Sequence, residues 1–140
     1  MSKFFRETVA LSHSGALAAL QAALEKANSI NVPQCICIVD VSGEVIVHFK
    51  MDGAKYLSMH TARAKARTAA SINSPTGSMT ADFGLAAGIA SHGGVTHLPG
   101  GLPIRFSGKL AGAIGVGSGT GEQDFEVARA ALTVIGADSV

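Results

Sequence analysis

The run His97-Leu98-Pro99-Gly100-Gly101-Leu102-Pro103-Ile104-Arg105-Phe106, then Ser107-Gly108-Lys109, then Leu110-Ala111-Gly112-Ala113-Ile114-Gly115-Val116-Gly117 decides how this chain folds. Two apolar segments flank a Ser-Gly-Lys turn, which is the pattern of a β-hairpin. Gly112, Gly115 and Gly117 interrupt the second segment. Glycine weakens a strand and marks a bulge, or a place where another backbone or a ligand comes close. Three in one apolar strand need a reason, and the plainest is a helix or a second subunit packed on bare main chain. Directly downstream, Thr120 and Gln123 stand three apart as a capping box, with Glu122 and Asp124 at the positive end of the helix dipole. Phe125, Ala128, Leu132 and Ile135 then share one helical face.

The same reading extends upstream. Residues 8–28 form a helix with Leu17, Leu20, Leu24 and Ala27 as its apolar stripe, capped by Thr8 or Ser12. Residues 34–40 and 45–51 are strands joined by the turn Asp40-Val41-Ser42-Gly43. Val45, Val47, Phe49 and Met51 fall on one face of the second strand, and Ile46, His48 and Lys50 on the other. After Met51-Asp52-Gly53-Ala54 comes a helix that Ser58 would cap, with Met59, Ala62, Ala66 and Ala69 inward. Arg63 and Arg67 lie on its outer side with Lys65 nearby. A turn over 71–77, a shorter helix over 81–90 and the loop Ser91-His92-Gly93-Gly94 lead back to the hairpin. The order α-β-β-α-α-β-β(-β)-α predicts an α/β fold of the α+β type, with an antiparallel sheet of about five strands packed with helices. Residues 1–140 make one domain of a size that buries a substantial core.

Only 15% of the residues are charged and 47% are hydrophobic, and the mean hydropathy is +0.34. A chain so poor in charge exposes apolar surface as a monomer, so a homo-oligomer is expected. The net charge of +1 argues against nucleic-acid and membrane-surface partners. No apolar run reaches the roughly 18 residues of a spanning helix. The N-terminus Met1-Ser2-Lys3-Phe4-Phe5-Arg6-Glu7 lacks a signal core, so a cytoplasmic protein is expected. Cys35 and Cys37 point to the same face of a strand and read as buried free thiols.

Several residue types bear on chemistry. His92 and His97 stand five apart in a glycine-rich loop; they are either exposed loop residues or ligands for haem iron or a divalent metal. No further ligands at zinc spacing accompany them, so no metal site is expected. His60, beside Met59, is either an exposed first-turn residue or projects into a cleft with Met51 and Asp52. His13 and His48 are weaker candidates. Met51, Met59 and Met79 fill the core or, as thioethers, serve as axial ligands. Gly100 and Gly101, before Pro103, let backbone amides approach an anionic group or pack tightly. Arg63, Lys65 and Arg67 either neutralise carboxylates or face solvent or a subunit. Neither a P-loop nor a nucleophile elbow is present.

The motifs Gly-Gly-x-Pro-Ile, Gly-x-x-x-Gly-Ala-Ile-Gly-Val and Gly-Thr-Gly-Glu-Gln-Asp are joined upstream by Val39-Asp40, Met51-Asp52-Gly53-Ala54, Lys65-Ala66-x-Thr68-Ala69 and Pro75-Thr76. Together the chain resembles the GlcG/HbpS family, also called the haem-degrading or DUF336 family, which includes the C-terminal domain of PduO-type proteins. The family reads Gly-Val-Ser-Gly-Gly where this chain has Gly115-Val116-Gly117-Ser118-Gly119. The resemblance implies a profilin-like or longin-like arrangement, tetramers or octamers, and haem or a related tetrapyrrole as ligand. It also implies that some members work beside enzymes of small organic acids or diols. The ligand-binding candidates are His60, Lys65, His92, His97, Gly100, Gly101, Pro103, Met51 and Asp52. A small-molecule-binding accessory protein comes first. A small enzyme of isomerase, tautomerase or hydrolytic type acting on a metabolic carboxylate comes second, and a structural or regulatory subunit third.

Overall fold

The computed structural model describes residues 4–140. Met1, Ser2 and Lys3, on which the reading of a missing signal core partly rests, lie outside the described residues. The elements run α1 (His13–Ser29), β1 (Cys35–Val39), β2 (Val45–Lys50), α2 (Ser58–Ile72), α3 (Ala81–Ala90), β3 (Gly101–Phe106), β4 (Lys109–Gly117) and α4 (Gly121–Val134). The strands form one antiparallel sheet in the order β2-β1-β4-β3. The sheet has four strands rather than about five. The segment before β3 cannot extend because His92, Gly93 and Gly100 turn into positive φ, at 54°, 80° and 124°.

The expected hairpin is β3–β4, and Ser107 and Gly108 both take positive φ, 51° and 78°. That is the mirror-image two-residue turn whose twist suits antiparallel strands. The Asp138 carboxylate accepts from both turn amides, at 3.1 and 2.7 Å. Pro103 is fully buried on β3, an edge strand, where a missing N–H does no harm.

One face of the sheet carries Ile36, Ile38, Leu102, Ile104, Ile114 and Val116 against α1 and α4. The other carries Cys35, Cys37, Val39 and Ala113 against Ala62, Ala66 and Ala69 of α2. Helix α1 starts later than expected, with Ser12 as its cap through a 3.0 Å bond from the Gly15 amide. Its buried stripe is alanine (Ala16, Ala19, Ala23 and Ala27), while Leu17 is 56% exposed. Small side chains let α1 lie close to α4; leucines would hold the two apart. Helix α4 has the capping box of Thr120 and Gln123, but its inner face is turned toward Asp124, Val127, Ala128, Ala131 and Leu132. Ser58 does not cap α2; Leu57 stands at the cap and makes no side-chain bond.

Both cysteines are free and buried. Burial pushes the Cys37 thiol up to about 12, against the opposing pull of Arg63 and Arg67, and burial raises Cys35 as well. Each therefore stays protonated and acts as a small apolar side chain. Helix α3 is different in kind. Among the described residues it rests on no other helix or strand, and Phe83, Leu85 and Ile89 are 61%, 67% and 72% exposed.

Candidate functional site

The glycine-rich strand is covered by the chain's own helix. A β-carbon at Gly115 would collide with the Ala62 carbonyl and stand 2.5 Å from the Ala66 amide, both main-chain atoms of α2. At Gly101 it would lie 2.5 Å from the Lys65 carbonyl, and at Gly112 2.5 Å from the Val39 carbonyl. Gly101 and Gly115 thus seat α2, the helix alternative of the two expected, whereas Gly112 lies against the neighbouring strand β1. Gly100 and Gly101 offer no open amide cradle. The Gly101 amide donates to Thr76 Oγ1 at 2.9 Å, and the Thr76 amide donates to the Gly101 carbonyl at 3.0 Å.

Lys65 lies inside the molecule, not on the outer side of α2; it is 5% exposed and Asp124 is 2% exposed. The Lys65 ammonium donates to Asp124 Oδ2 at 2.9 Å and to the Val116 carbonyl at 2.8 Å. Asp124 Oδ1 accepts from the Gly119 amide at 3.0 Å. With its amide nitrogen turned toward these acceptors, Gln34 donates to the same Oδ1 at 3.0 Å and to the Gly117 carbonyl. This node ties α2, α4 and β4 to the residue that precedes β1. Its ammonium is already committed to Asp124, so Lys65 is not a free cation for an external carboxylate.

The histidines divide into three settings. His60 is exposed on the first turn of α2, and its Nε2 lies 3.5 Å from where a Gly93 β-carbon would stand. The structure therefore brings His60 together with the loop that carries His92, itself exposed at φ 54°. That loop is fixed. The Thr68 hydroxyl donates to the Ala64 carbonyl at 2.7 Å and accepts from the Thr96 amide at 3.0 Å. Ser91 Oγ donates to the Ala87 carbonyl at 2.6 Å and accepts from the Val95 amide at 2.9 Å. His97 points elsewhere: it packs on Gly84 of α3 so closely that a β-carbon there would fall 2.7 Å from its Nδ1. His48 Nε2 donates to the Met59 carbonyl at 2.8 Å. Among the described residues, no three His, Cys, Asp or Glu side chains gather as metal ligands.

Met51 and Asp52 line a separate cleft of about 420 Å³ between the C-terminal end of α1 and the end of β2. Met51 Sδ accepts from the Gln34 amide at 3.3 Å. Ser118, at the exchanged position of the glycine run, takes φ 97°, a conformation that favours glycine. Its hydroxyl accepts from the Lys55 amide at 3.0 Å and so fixes the loop before α2. Tyr56 and Leu57 in that loop are 76% and 64% exposed. No helix of the described residues is long and apolar enough to cross a membrane.

Comparison with known proteins gives a consistent answer. The solved structure of Klebsiella pneumoniae protein ORFY, of the DUF336 family, matches with a TM-score of 0.90 at 27% identity, over 99% of each chain. The structure of a PduOC:heme complex matches with a TM-score of 0.85 at 30% identity, over 94% of this chain and 99% of that one. The corrinoid adenosyltransferase PduO of Salmonella typhimurium is 33% identical over 132 residues, 91% of this chain. The chain spans only 39% of that relative's length, and 36% of its Citrobacter freundii counterpart's. The family model of the haem degrading protein HbpS-like group matches residues 11–133. With that model running from the segment before α1 to the end of α4 over one shared fold, the chain belongs to the HbpS-like family.

Proposed function

We propose that this chain is a small-molecule-binding accessory protein whose ligand is haem or a related tetrapyrrole. The ligand sits where His60 meets the His92–Gly93 loop, in a homo-oligomer. The likeness to a chain solved as a heme complex, at 30% identity over 94% of this chain, carries the reading. The local chemistry fits. The His60 ring makes no hydrogen bond within the described residues, and a neutral imidazole is a common axial ligand of haem iron. Tyr56 and Leu57 supply exposed apolar surface for a flat macrocycle. Arg63, exposed one turn after His60, supplies positive charge for propionates. Bound haem would bring a redox-active iron; the chain's own residues hold and orient it. A carboxylate-processing enzyme would draw its charge from Arg63 and Arg67, since Lys65 is paired with Asp124.

Haem titration of the purified protein tests this. A Soret band should saturate, and His60→Ala should weaken binding by roughly tenfold or more. His92→Ala and His97→Ala separate the loop residue from the one packed on α3. A flat Soret region at micromolar haem removes haem as the ligand.

The assembly is assigned to α3, where Leu85 and Ile89 share one exposed side and Phe83 stands exposed on another, with no helix or strand of the described fold against them. A second copy of this chain is the occupant, in an assembly of four or eight. Light scattering should therefore give a multiple of the chain mass. Ile89→Glu should lower that mass while leaving the helical content unchanged. A monomeric wild type would overturn the assignment.

A further inference from the structure

A second cleft, of about 280 Å³, lies between the β1–β2 turn, α2 and the loop after α3. Arg67, Ser42, Ser71, Gly43 and the apolar Val41 and Val95 line it. Arg67 is half-buried, with its stem and Nε laid against Gly43; a β-carbon there would stand 3.5 Å from each. Gly43 holds φ 82°, so the turn curls under the guanidinium. The ion pairs among the described residues are Lys26–Glu126 and Lys65–Asp124. Among the described residues, the Arg67 guanidinium has no carboxylate in reach and makes no hydrogen bond. Asp40, the acid of the adjoining turn, is engaged there, with Oδ1 accepting from the Ser42 and Glu44 amides at 2.8 and 3.0 Å. The hydroxyls of Ser42 and Ser71 have no partner among the described residues.

A guanidinium presents five donors in a planar fork that matches an oxyanion in bidentate fashion. An unpaired one held in a walled cleft beside two free hydroxyls is a set of donors without an acceptor. We infer that the Arg67 cleft binds a small carboxylate with a short aliphatic stem, at a site distinct from the His60 surface. The fork and the serines face the carboxylate, and Val41 and Val95 face the stem. Inorganic phosphate has no stem and leaves those valines unmatched. At about 280 Å³ the cleft has room for an acid of a few carbons.

The test uses the full chain with sodium propionate and, separately, sodium phosphate, read by amide NMR shifts and calorimetry. Propionate should shift the Gly43, Ser71, Gly94 and Val95 amides saturably. Arg67→Ala should weaken binding by roughly tenfold or more, the scale of a lost charged hydrogen bond. Arg67→Lys keeps the charge but loses the fork, and should fall between the two. Val95→Trp, which fills the cleft and leaves Arg67 in place, should abolish binding; it serves if Arg67→Ala fails to fold. Haem titration should be unchanged in each folded variant, so this site and the haem site stand or fall separately. The inference is overturned if no saturable shift appears at tens of millimolar propionate, if Arg67→Ala binds as well as wild type, or if phosphate binds more tightly than propionate.

Discussion

Asp124→Ala will lower the unfolding free energy by about 3–5 kcal/mol, the cost of leaving one partner of a buried ion pair alone. Asp124 and Lys65 are 2% and 5% exposed, so water cannot solvate the ammonium left behind. Only the Val116 carbonyl would remain to it. The same change removes the acceptor of the Gly119 amide. A domain of this size has roughly 5–15 kcal/mol in total, so the loss is a large share. Urea unfolding should show the midpoint falling with an unchanged slope. Lys65→Met should cost a similar amount. The double variant Lys65→Met/Asp124→Ala should lose clearly less than the two singles summed, because no uncompensated charge is left in the interior. Additive losses, or a single loss below about 1 kcal/mol, would show that the node does not hold the helices to the sheet.

Much of this arrangement could be read from residue spacing. The hairpin, its turn and the capping box of α4 follow from local chemistry, and local chemistry needs no tertiary partner. The burial of Lys65 and Asp124 is present in the periodicity, but their pairing is not. Lys65 stands three residues after Ala62 and four before Ala69, inside the buried stripe of α2. Asp124 likewise stands three before Val127 and four before Ala128. Charge points Lys65 to an outer face and Asp124 to the helix dipole; only their 59-residue separation closed in space makes burial acceptable. Of the stripe expected on α1, Ala27 is buried, Leu20 and Leu24 pack at the margin of the core and Leu17 is exposed, while the centre of the face is alanine for a related reason. Hydrophobicity ranks leucine above alanine, but closeness of approach selects alanine. His97 and His60 could not be told apart in sequence, because the difference between them is the course of the loop around α3. The Arg67 cleft is built from three segments that meet only in the fold, and nothing local marks it.

Gly115→Ala should be the most damaging single methyl in the chain, at about 3 kcal/mol or more, the upper end of overpacking. The collision is with the Ala62 carbonyl and the Ala66 amide, which are main chain and cannot rotate aside. Helix α2 must lift, and Ala62, Ala66 and Ala69 then lose Cys35, Cys37 and Ala113. Gly108→Ala is the control. It has nothing within 4 Å, so it carries only the left-handed backbone cost of roughly 1–2 kcal/mol. Adding Ala62→Gly to Gly115→Ala should restore nothing, since the obstacle is the carbonyl of residue 62 rather than its methyl. Rescue by Ala62→Gly, or a loss no greater than that of Gly108→Ala, would mean that α2 does not sit on bare strand. The consequence reaches the ligand. His60 and Arg67 ride on α2, while the loop they face is pinned through Thr68 on the same helix. A lifted α2 carries His60 and the loop together but draws Arg67 away from Gly43 in the β1–β2 turn. Any folded fraction of Gly115→Ala should therefore lose propionate binding before it loses haem binding.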